Sequence, residues 1–141
     1  MIILKNLYDL KIEKGTKDSV GIDLPSPQDI FIAPRSHVVI DFGIVVEPHS
    51  NISFIALVPR SSLFVKKGLI LGNSIGIIDP DYRGPEDTVK AILYNVNDYA
   101  VTIKKGERIV QLIELFYGKD LEFEEKEKTT ENRGGLGSTG E

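Results

Sequence analysis

Short apolar segments separated by turn residues run along most of the chain. Val, Ile, Leu and Phe are concentrated in IILKNL, DIFIA, HVVIDFGIVVE, SFIALVP, GLILGNSIGIID, VKAILYNV, YAVTIKK and RIVQLIELF. Proline, glycine, asparagine and aspartate lie between these segments, as turns require. VVIDFGIVV and YAVTIKK alternate in part between apolar and polar residues, as half-buried strands do. The pattern predicts an all-β fold, a jelly-roll-like sandwich or barrel of roughly eight or more strands.

Helical periodicity is weak throughout the sequence. The segment SLFVKKGLI could contain a helical turn, but Gly68 limits its length. Apolar residues thin out after Phe123, and segment 119–141 holds seven acidic and four basic residues. We expect one further strand at LEFEE and then an extended, mobile arm that ends in a glycine-rich tail. The predicted division is a β-barrel domain at 1–118 and a C-terminal arm at 119–141.

Composition narrows the classes of protein that fit. The chain has 141 residues and no cysteine, so we expect one domain without disulfides or thiolate metal sites, in a reducing compartment such as the cytoplasm, or a host cell's cytoplasm for a viral protein. Lys5 and Asp9 come too early for a signal peptide, and no apolar run reaches the roughly 18 residues of a membrane span. The net charge of −4 argues against a nucleic-acid polymer as partner but not against a single nucleotide.

Polar residues interrupt the apolar strands in five segments, of which the first two are short. The first is SVGIDL, where the lone Asp23 more often caps a turn than binds a ligand. The second is PRSSL, which offers a guanidinium, two hydroxyls and consecutive backbone N–H groups to a phosphate. The same residues could cap a helical turn, and the segment alone does not decide between these roles. The candidate phosphate ligands are Arg60, Ser61 and Ser62.

The third segment, GNSIGIIDPDYRG, is the most informative. Asn73 can present its amide to the edge of a base, and Gly76 lets the backbone approach a ligand closely. Asp79 and Asp81 then flank a proline, and Tyr82 and a cation follow. Several of these residue types are simply those that turns prefer. A hairpin does not require all of them together, so we favour a functional site.

The last two segments are less specific. The fourth, KKGERIVQLIELF, embeds Gln111 in an apolar strand, where we expect an inward amide that must find a partner. A ligand phosphate or the backbone could be that partner, and the backbone is the more common one. The fifth, RGGLGSTG, has the composition of a phosphate loop but lacks the lysine and the following helix of a P-loop.

Taken in order, the five segments resemble the five motifs of the homotrimeric dUTPase family. SVGIDL, PRSSL, GNSIGIIDPDYRG, GERIVQLI and RGGLGSTG extend from residue 19 to residue 140, and the third match is the most specific. The resemblance implies a jelly-roll β-barrel that hydrolyses dUTP to dUMP and pyrophosphate. It also implies a homotrimer whose three active sites lie between subunits, with each tail crossing to a neighbour's site.

The resemblance further implies roles for individual residues. Asp79 would orient and deprotonate the attacking water, and as a weak base it would depend on its position. Asn73 and the backbone from Gly76 to Ile78 would pair with uracil, in a space too narrow for thymine. Tyr82 would pack against the deoxyribose and leave no room for a 2′-hydroxyl. Asp23 would hold Mg²⁺ through water, which suits an ion that keeps several waters and binds substrate phosphates. The phosphates and the rest of the substrate would be contacted by Arg60, Ser61, Ser62, Lys90 and Gln111, and by Arg133, Leu136, Gly137 and Ser138 of the tail.

Two departures from the family pattern affect these expectations. After Gly84 the chain continues as PEDTVK, which is longer than the family's usual step into the next strand. We expect a bulge in that strand, and the placement of Lys90 depends on it. In the tail, Leu136 occupies the position of a phenylalanine that stacks on uracil, and such stacking is worth on the order of 1 kcal/mol or more.

Two alternative functions remain. A dCTP deaminase of the same fold would resemble its family in an arginine and a glutamate where this chain has Val65 and Ile92. Deamination of cytosine needs a proton shuttle, which neither side chain provides. A non-catalytic regulatory member of the fold is the second alternative, with PEDTVK as a candidate surface for a protein partner.

Overall fold

The computed structural model describes residues 1–117 and 122–127, and the described chain contains twelve strands and one short helix. The strands are β1 (Ile2–Asn6), β2 (Glu13–Lys14), β3 (Ile22–Pro25), β4 (Ile30–Ile32), β5 (His37–Asp41), β6 (Ile44–Glu47), β7 (Ser53–Pro59), β8 (Leu69–Leu71), β9 (Gly76–Ile78), β10 (Lys90–Asn95), β11 (Val101–Ile103) and β12 (Arg108–Phe116), and the helix α1 spans Leu63–Lys67. No helix in this part of the chain is long and apolar enough to cross a membrane. The predicted all-β class is confirmed.

Antiparallel pairing organises the strands into four sheets. The largest has the order β2-β3-β12-β7-β9, and the others are β5-β10-β8, β1-β6 and β11-β4. All eight strand pairings of the described chain are antiparallel. One apolar cluster fills the interior between the sheets, with Phe42, Leu24, Ile55 and Leu69 completely buried in it. The largest sheet therefore presents one face to the core and the other to solvent.

Strand β12 shows how the sequence pattern positions a site residue. Val110 and Leu112 are buried in the core, and Gln111 between them is only half-buried. Successive side chains of a strand point to opposite faces, so Gln111 faces away from the core. We expected an inward amide because apolar residues precede and follow Gln111. This expectation was wrong, since Gln111 occupies the outward-facing position between two inward-facing ones.

Two long apolar segments of the sequence divide into separate strands. HVVIDFGIVVE breaks between β5 and β6, where Gly43 has a φ of 63° that favours glycine. GLILGNSIGIID breaks into β8 and β9, which belong to different sheets, so the third polar segment is not a hairpin of paired strands. SVGIDL contributes β3, a strand that the apolar pattern did not reveal. The predicted helical turn is α1, which ends at Gly68 with a φ of 61°.

Two further expectations were wrong. Residues 122–127 form no strand, although we expected one at LEFEE. Strand β10 pairs with β5 from Lys90 to Tyr94 without a shift in register, so it contains no bulge there. The additional residues of PEDTVK instead form a turn before the strand, in which the Asp87 amide donates to the Gly84 carbonyl at 3.0 Å.

Glu114 on β12 ties the loop before β7 to the sheet. Its carboxylate accepts hydrogen bonds from the Ser53 hydroxyl at 2.7 Å, the His49 amide at 2.8 Å and the Met1 amino group at 2.5 Å. Burial raises the pKa of this carboxyl, but these hydrogen bonds and one from the Ser50 amide outweigh it and lower the pKa to about 2. The folded protein thus stabilises the charged form of Glu114 more than the unfolded chain does.

We expect the free energy of unfolding to fall as the pH drops from about 4.5 to about 2. A depressed pKa contributes stability that is fully present above the unfolded value and is lost as the pH falls through the folded value. Glu114→Gln should remove this contribution, roughly 3 kcal/mol at neutral pH. Urea unfolding between pH 2.5 and 7 measures it. Glu13→Gln, at an exposed position on β2, is the control and should retain the acid-dependent loss, whereas the same loss in Glu114→Gln would contradict the assignment.

Candidate active site

A pocket of about 210 Å³ lies beside the edge strand β9. Six residues singled out in the sequence line it, together with Leu57, Ile77, Thr88 and Val89: Asn73, Gly76, Ile78, Asp79, Tyr82 and Lys90. The structure therefore brings together the third polar segment and Lys90, although residues 85–89 lie between them in the sequence. Their roles toward a substrate remain predictions.

The backbone conformation around β9 explains how these residues come to line one pocket. Gly76 pairs with Leu57 of β7, and a Cβ atom at Gly76 would lie 3.1 Å from the Leu57 Cβ, so the glycine permits a close approach. In the described chain β9 pairs only with β7, which leaves the other edge of the strand open toward the pocket. The chain then turns after Ile78, and the Tyr82 amide donates to the Asp79 carbonyl at 3.0 Å. This turn places the Asp79 carboxylate and the Tyr82 ring at the same pocket.

Asp79 is the acidic residue of the pocket. Its side chain is exposed, and it makes no ion pair with any residue in the described ranges. Tyr82 and Lys90, which also line the pocket, are held by hydrogen bonds to Thr88. A carboxylate that no cation neutralises can accept a proton from a bound water, which is what a general base requires.

A second polar cluster lies on the outer face of the largest sheet. Asp23, with a side chain only 6% exposed, lies between Arg60 Nε at 3.1 Å and Arg108 Nη1 at 3.3 Å. Strand register places Gln111 directly opposite Asp23, and the Gln111 amide donates to the Pro59 carbonyl at 3.2 Å. The backbone is therefore the partner of Gln111 in this structure, one of the two partners that the sequence left open, and a contact with phosphate stays a prediction. Gly21 lies close to this amide: a Cβ atom there would lie 2.1 Å from Gln111 Oε1, so a larger residue would force the Gln111 side chain to move.

Cations line the groove next to this cluster. Its volume is about 220 Å³, and its polar lining residues are Arg60, Ser62, Lys66, Lys67, Glu107 and Arg108. Arg60 and Arg108 share Asp23, and Lys67 pairs with Glu107 at 2.8 Å, so positive charge remains in excess. Ser61 precedes α1 at an exposed position and lines neither the groove nor the pocket. The arrangement suits a polyanion such as a triphosphate.

Sequence reasoning did not single out Arg108. The residue stands in GERIVQ, three positions before Gln111, at the start of β12. Its contact with Asp23 depends on the pairing of β12 with β3, which are far apart in the sequence. The one sequence signal for a role of Arg108 was its position close to Gln111, a predicted phosphate ligand.

The donor atoms at Asp23 fit an outer contact to Mg²⁺. Asp23 Oδ2 is buried and accepts no hydrogen bond in the described chain, although Arg108 Nη1 lies 3.3 Å from it as an ion-pair partner. No group of three or more potential metal ligands occurs among the described residues. Mg²⁺ does not need such a group, because it retains waters and takes most of its other ligands from substrate phosphates.

Several predicted positions lie elsewhere. Arg133, Leu136, Gly137 and Ser138 of the tail are outside the described residues. Val65 is exposed on α1 and Ile92 on β10, and neither side chain can transfer a proton, which gives a cytosine deaminase no shuttle at these positions.

The fold and the two polar clusters define a β-barrel with a small pocket at β9 and a separate groove lined by cations, an arrangement that suits a nucleotide-binding protein. Residues 10–140 match the family model described as dUTPase. The deoxyuridine 5′-triphosphate nucleotidohydrolase of Rickettsia prowazekii is 39% identical over 142 residues, covering 97% of this chain and 93% of the relative. The chain belongs to the dUTPase family.

Solved structures show the same fold. The dUTPase from Streptococcus mutans superposes with a TM-score of 0.72 at 29% identity, covering 79% of this chain and 88% of that one. The dUTPase of Staphylococcus bacteriophage 80α, solved with dUpNHpp, has a TM-score of 0.73 at 24% identity, covering 92% and 90% of the two chains. The predicted jelly-roll-like β-barrel is therefore confirmed.

Proposed function

We propose that the protein hydrolyses dUTP to dUMP and pyrophosphate by attack of water on the α-phosphorus. The observation that supports this most is the pocket at β9, where Asn73, Asp79 and Tyr82 converge. The reaction would limit uracil incorporation into DNA and supply dUMP. We place it in the cytoplasm, a location that remains a prediction from the sequence.

Uracil recognition would rely on the open edge of β9. Backbone groups between Gly76 and Ile78 that are not bonded to β7 would pair with the edge of a base, and Asn73 adds an amide. Pairing set for uracil leaves buried groups unsatisfied against cytosine, which discriminates strongly between the two bases. We propose that the wall of the pocket along β9 excludes a thymine methyl group and that the Tyr82 ring excludes a ribose 2′-hydroxyl.

Hydrolysis would depend on Asp79 and on the groove of cations. Asp79 holds a water against the α-phosphorus and accepts its proton, while pyrophosphate is the leaving group. Arg60 and Ser62 of the groove, together with Ser61 and Gln111 outside its lining, would bind the phosphate oxygens, and their charge and hydrogen bonds would stabilise the transition state. When bound to the triphosphate, Mg²⁺ would offset its negative charge, and Asp23 would hold it through water.

The complete site would form between subunits of a homotrimer. The β9 pocket and the phosphate groove share no lining residue within the described chain. Val39, Ile70 and Ile92 are exposed apolar residues on strands of the β5-β10-β8 sheet, and such faces commonly mark protein interfaces. We propose that a neighbouring copy supplies the phosphate groove and that a tail, through Arg133, Leu136, Gly137 and Ser138, covers the substrate.

Pyrophosphate release from dUTP in the presence of Mg²⁺ tests the function. We expect turnover with dUTP to exceed that with dCTP, dTTP and UTP by several powers of ten and to stop when EDTA removes the metal. Formation of dUTP from dCTP would indicate the deaminase alternative. Binding of dUTP without product would indicate the non-catalytic regulatory alternative.

A further inference from the structure

We infer that Asp41 and Thr88 are positioning residues that hold Lys90 and Tyr82 on one wall of the nucleotide pocket. The inference deepens the proposed function and rests on it. Neither Asp41 nor Thr88 belongs to the five polar segments of the sequence. They meet because β5 and β10 pair, which places Asp41 opposite Lys90.

Thr88 contacts both wall residues at once. Its hydroxyl accepts a hydrogen bond from Lys90 Nζ at 2.9 Å and donates one to Asp41 Oδ2 at 2.9 Å. Its carbonyl accepts from the Tyr82 hydroxyl at 3.1 Å and from Lys90 Nζ at 3.4 Å. A hydroxyl has a single hydrogen, so donation to Asp41 turns the lone pairs of the oxygen toward the ammonium group. Asp41 therefore sets the orientation in which the Thr88 hydroxyl accepts the hydrogen bond from Lys90.

Asp41 is itself fixed at the end of β5. Its Oδ1 accepts a hydrogen bond from the Gly43 amide at 2.8 Å, at the turn where Gly43 adopts a φ of 63°. Its Oδ2 lies 3.8 Å from Lys90 Nζ, so the charge also attracts the ammonium group directly. The two oxygens have different partners, and the carboxylate cannot rotate without breaking one of these contacts.

Thr88 has little freedom to move. It is 7% exposed, and both backbone groups of Val89 next to it are bound, because the Val89 amide donates to the Ile44 carbonyl at 2.8 Å and its carbonyl accepts from the Phe42 amide at 3.0 Å. On the other side, Asp87 closes a turn by accepting a hydrogen bond from the Gly84 amide at 2.8 Å. The residues of PEDTVK thus form a braced loop that fixes Thr88.

The hydrogen bonds that hold Lys90 and Tyr82 should also affect substrate binding. A free lysine side chain loses considerable rotamer entropy when it is ordered, and a lysine that is already held loses less. Lys90 and Tyr82 would therefore meet the sugar side of the nucleotide already in place. Loss of the Thr88 hydroxyl should weaken binding of dUTP more than it slows the chemical step, because Asp79 and the phosphate groove remain intact.

Thr88→Val tests the inference, because valine has nearly the same shape and lacks only the hydroxyl. We expect the KM for dUTP to rise about tenfold with kcat changed less than about threefold. Thr88→Ser restores a hydroxyl and should remain within about twofold of the parent enzyme. Asp41→Asn keeps an acceptor for the Gly43 amide but removes the charge. Its KM for dUTP should lie between those of Thr88→Ser and Thr88→Val. Melting temperatures of all variants show whether the fold is intact.

A double-mutant cycle with Lys90→Met separates positioning from a general packing role. If Thr88 acts through Lys90, Thr88→Val should raise KM much less in the Lys90→Met background than in the parent. Equal effects in both backgrounds, an unchanged KM in Thr88→Val, or a failure of Thr88→Ser to restore KM would each overturn the inference. A parent enzyme that releases no pyrophosphate from dUTP would instead contradict the proposed function.

Discussion

Asp79→Asn is expected to bind the substrate nearly as well as the parent protein but to turn it over on the order of a thousandfold more slowly. The amide has almost the same size as the carboxylate and can still contact a water. It cannot accept the proton that the water releases as it attacks phosphorus. Asp79 is exposed at the pocket and makes no ion pair with a described residue, so its removal should not disturb the fold. Pyrophosphate release measures turnover, and calorimetric titration with dUpNHpp measures binding.

Asp81→Asn is the matched control for this experiment. It makes the same chemical change two residues further along, at a position that does not line the pocket. We expect its turnover to stay within a few-fold of the parent. Comparable losses in the two variants would mean that overall negative charge matters rather than a base at Asp79. Near-normal turnover in Asp79→Asn would require another base.

The sequence alone was sufficient for the part of the site that is local in the chain. Asn73, Gly76, Asp79 and Tyr82 lie within one short segment, so any compact turn after β9 keeps them together. The all-β class also followed from the sequence, because short apolar segments between turn residues are typical of strands. Lys90 reached the same pocket because the additional residues form a turn and β10 begins in regular register.

Contacts between distant segments could not be predicted in this way. Arg108 meets Asp23 only because β12 pairs with β3, and Thr88 meets Asp41 through the packing of β10 on β5. A strand that slips by one residue presents its other face, so these contacts depend on a register that composition does not reveal. Gln111 illustrates this, because its apolar neighbours suggested burial and the alternation of β12 turns it outward.

The proposed sharing of each site between two subunits has a measurable consequence when two defective subunits are mixed. Asp79→Asn lacks the base beside the pocket, and Arg60→Gln lacks a cation of the groove, so each variant alone should be nearly inactive. If every site takes its pocket from one subunit and its groove from the next, a mixed trimer contains sites with an intact half from each variant. Random assembly of equal amounts should restore about a quarter of the parent's active sites.

Refolding the two variants together from urea and measuring pyrophosphate release tests this expectation. A mixture of Asp79→Asn with the double variant Asp79→Asn/Arg60→Gln is the control, because no combination of these subunits contains Asp79. Separately refolded samples that are combined afterwards should stay inactive until subunits exchange. A site built within one chain would regain nothing on mixing, since every chain lacks one of the two groups. Recovery therefore distinguishes a shared site from one in which the pocket and the groove of the same subunit act together.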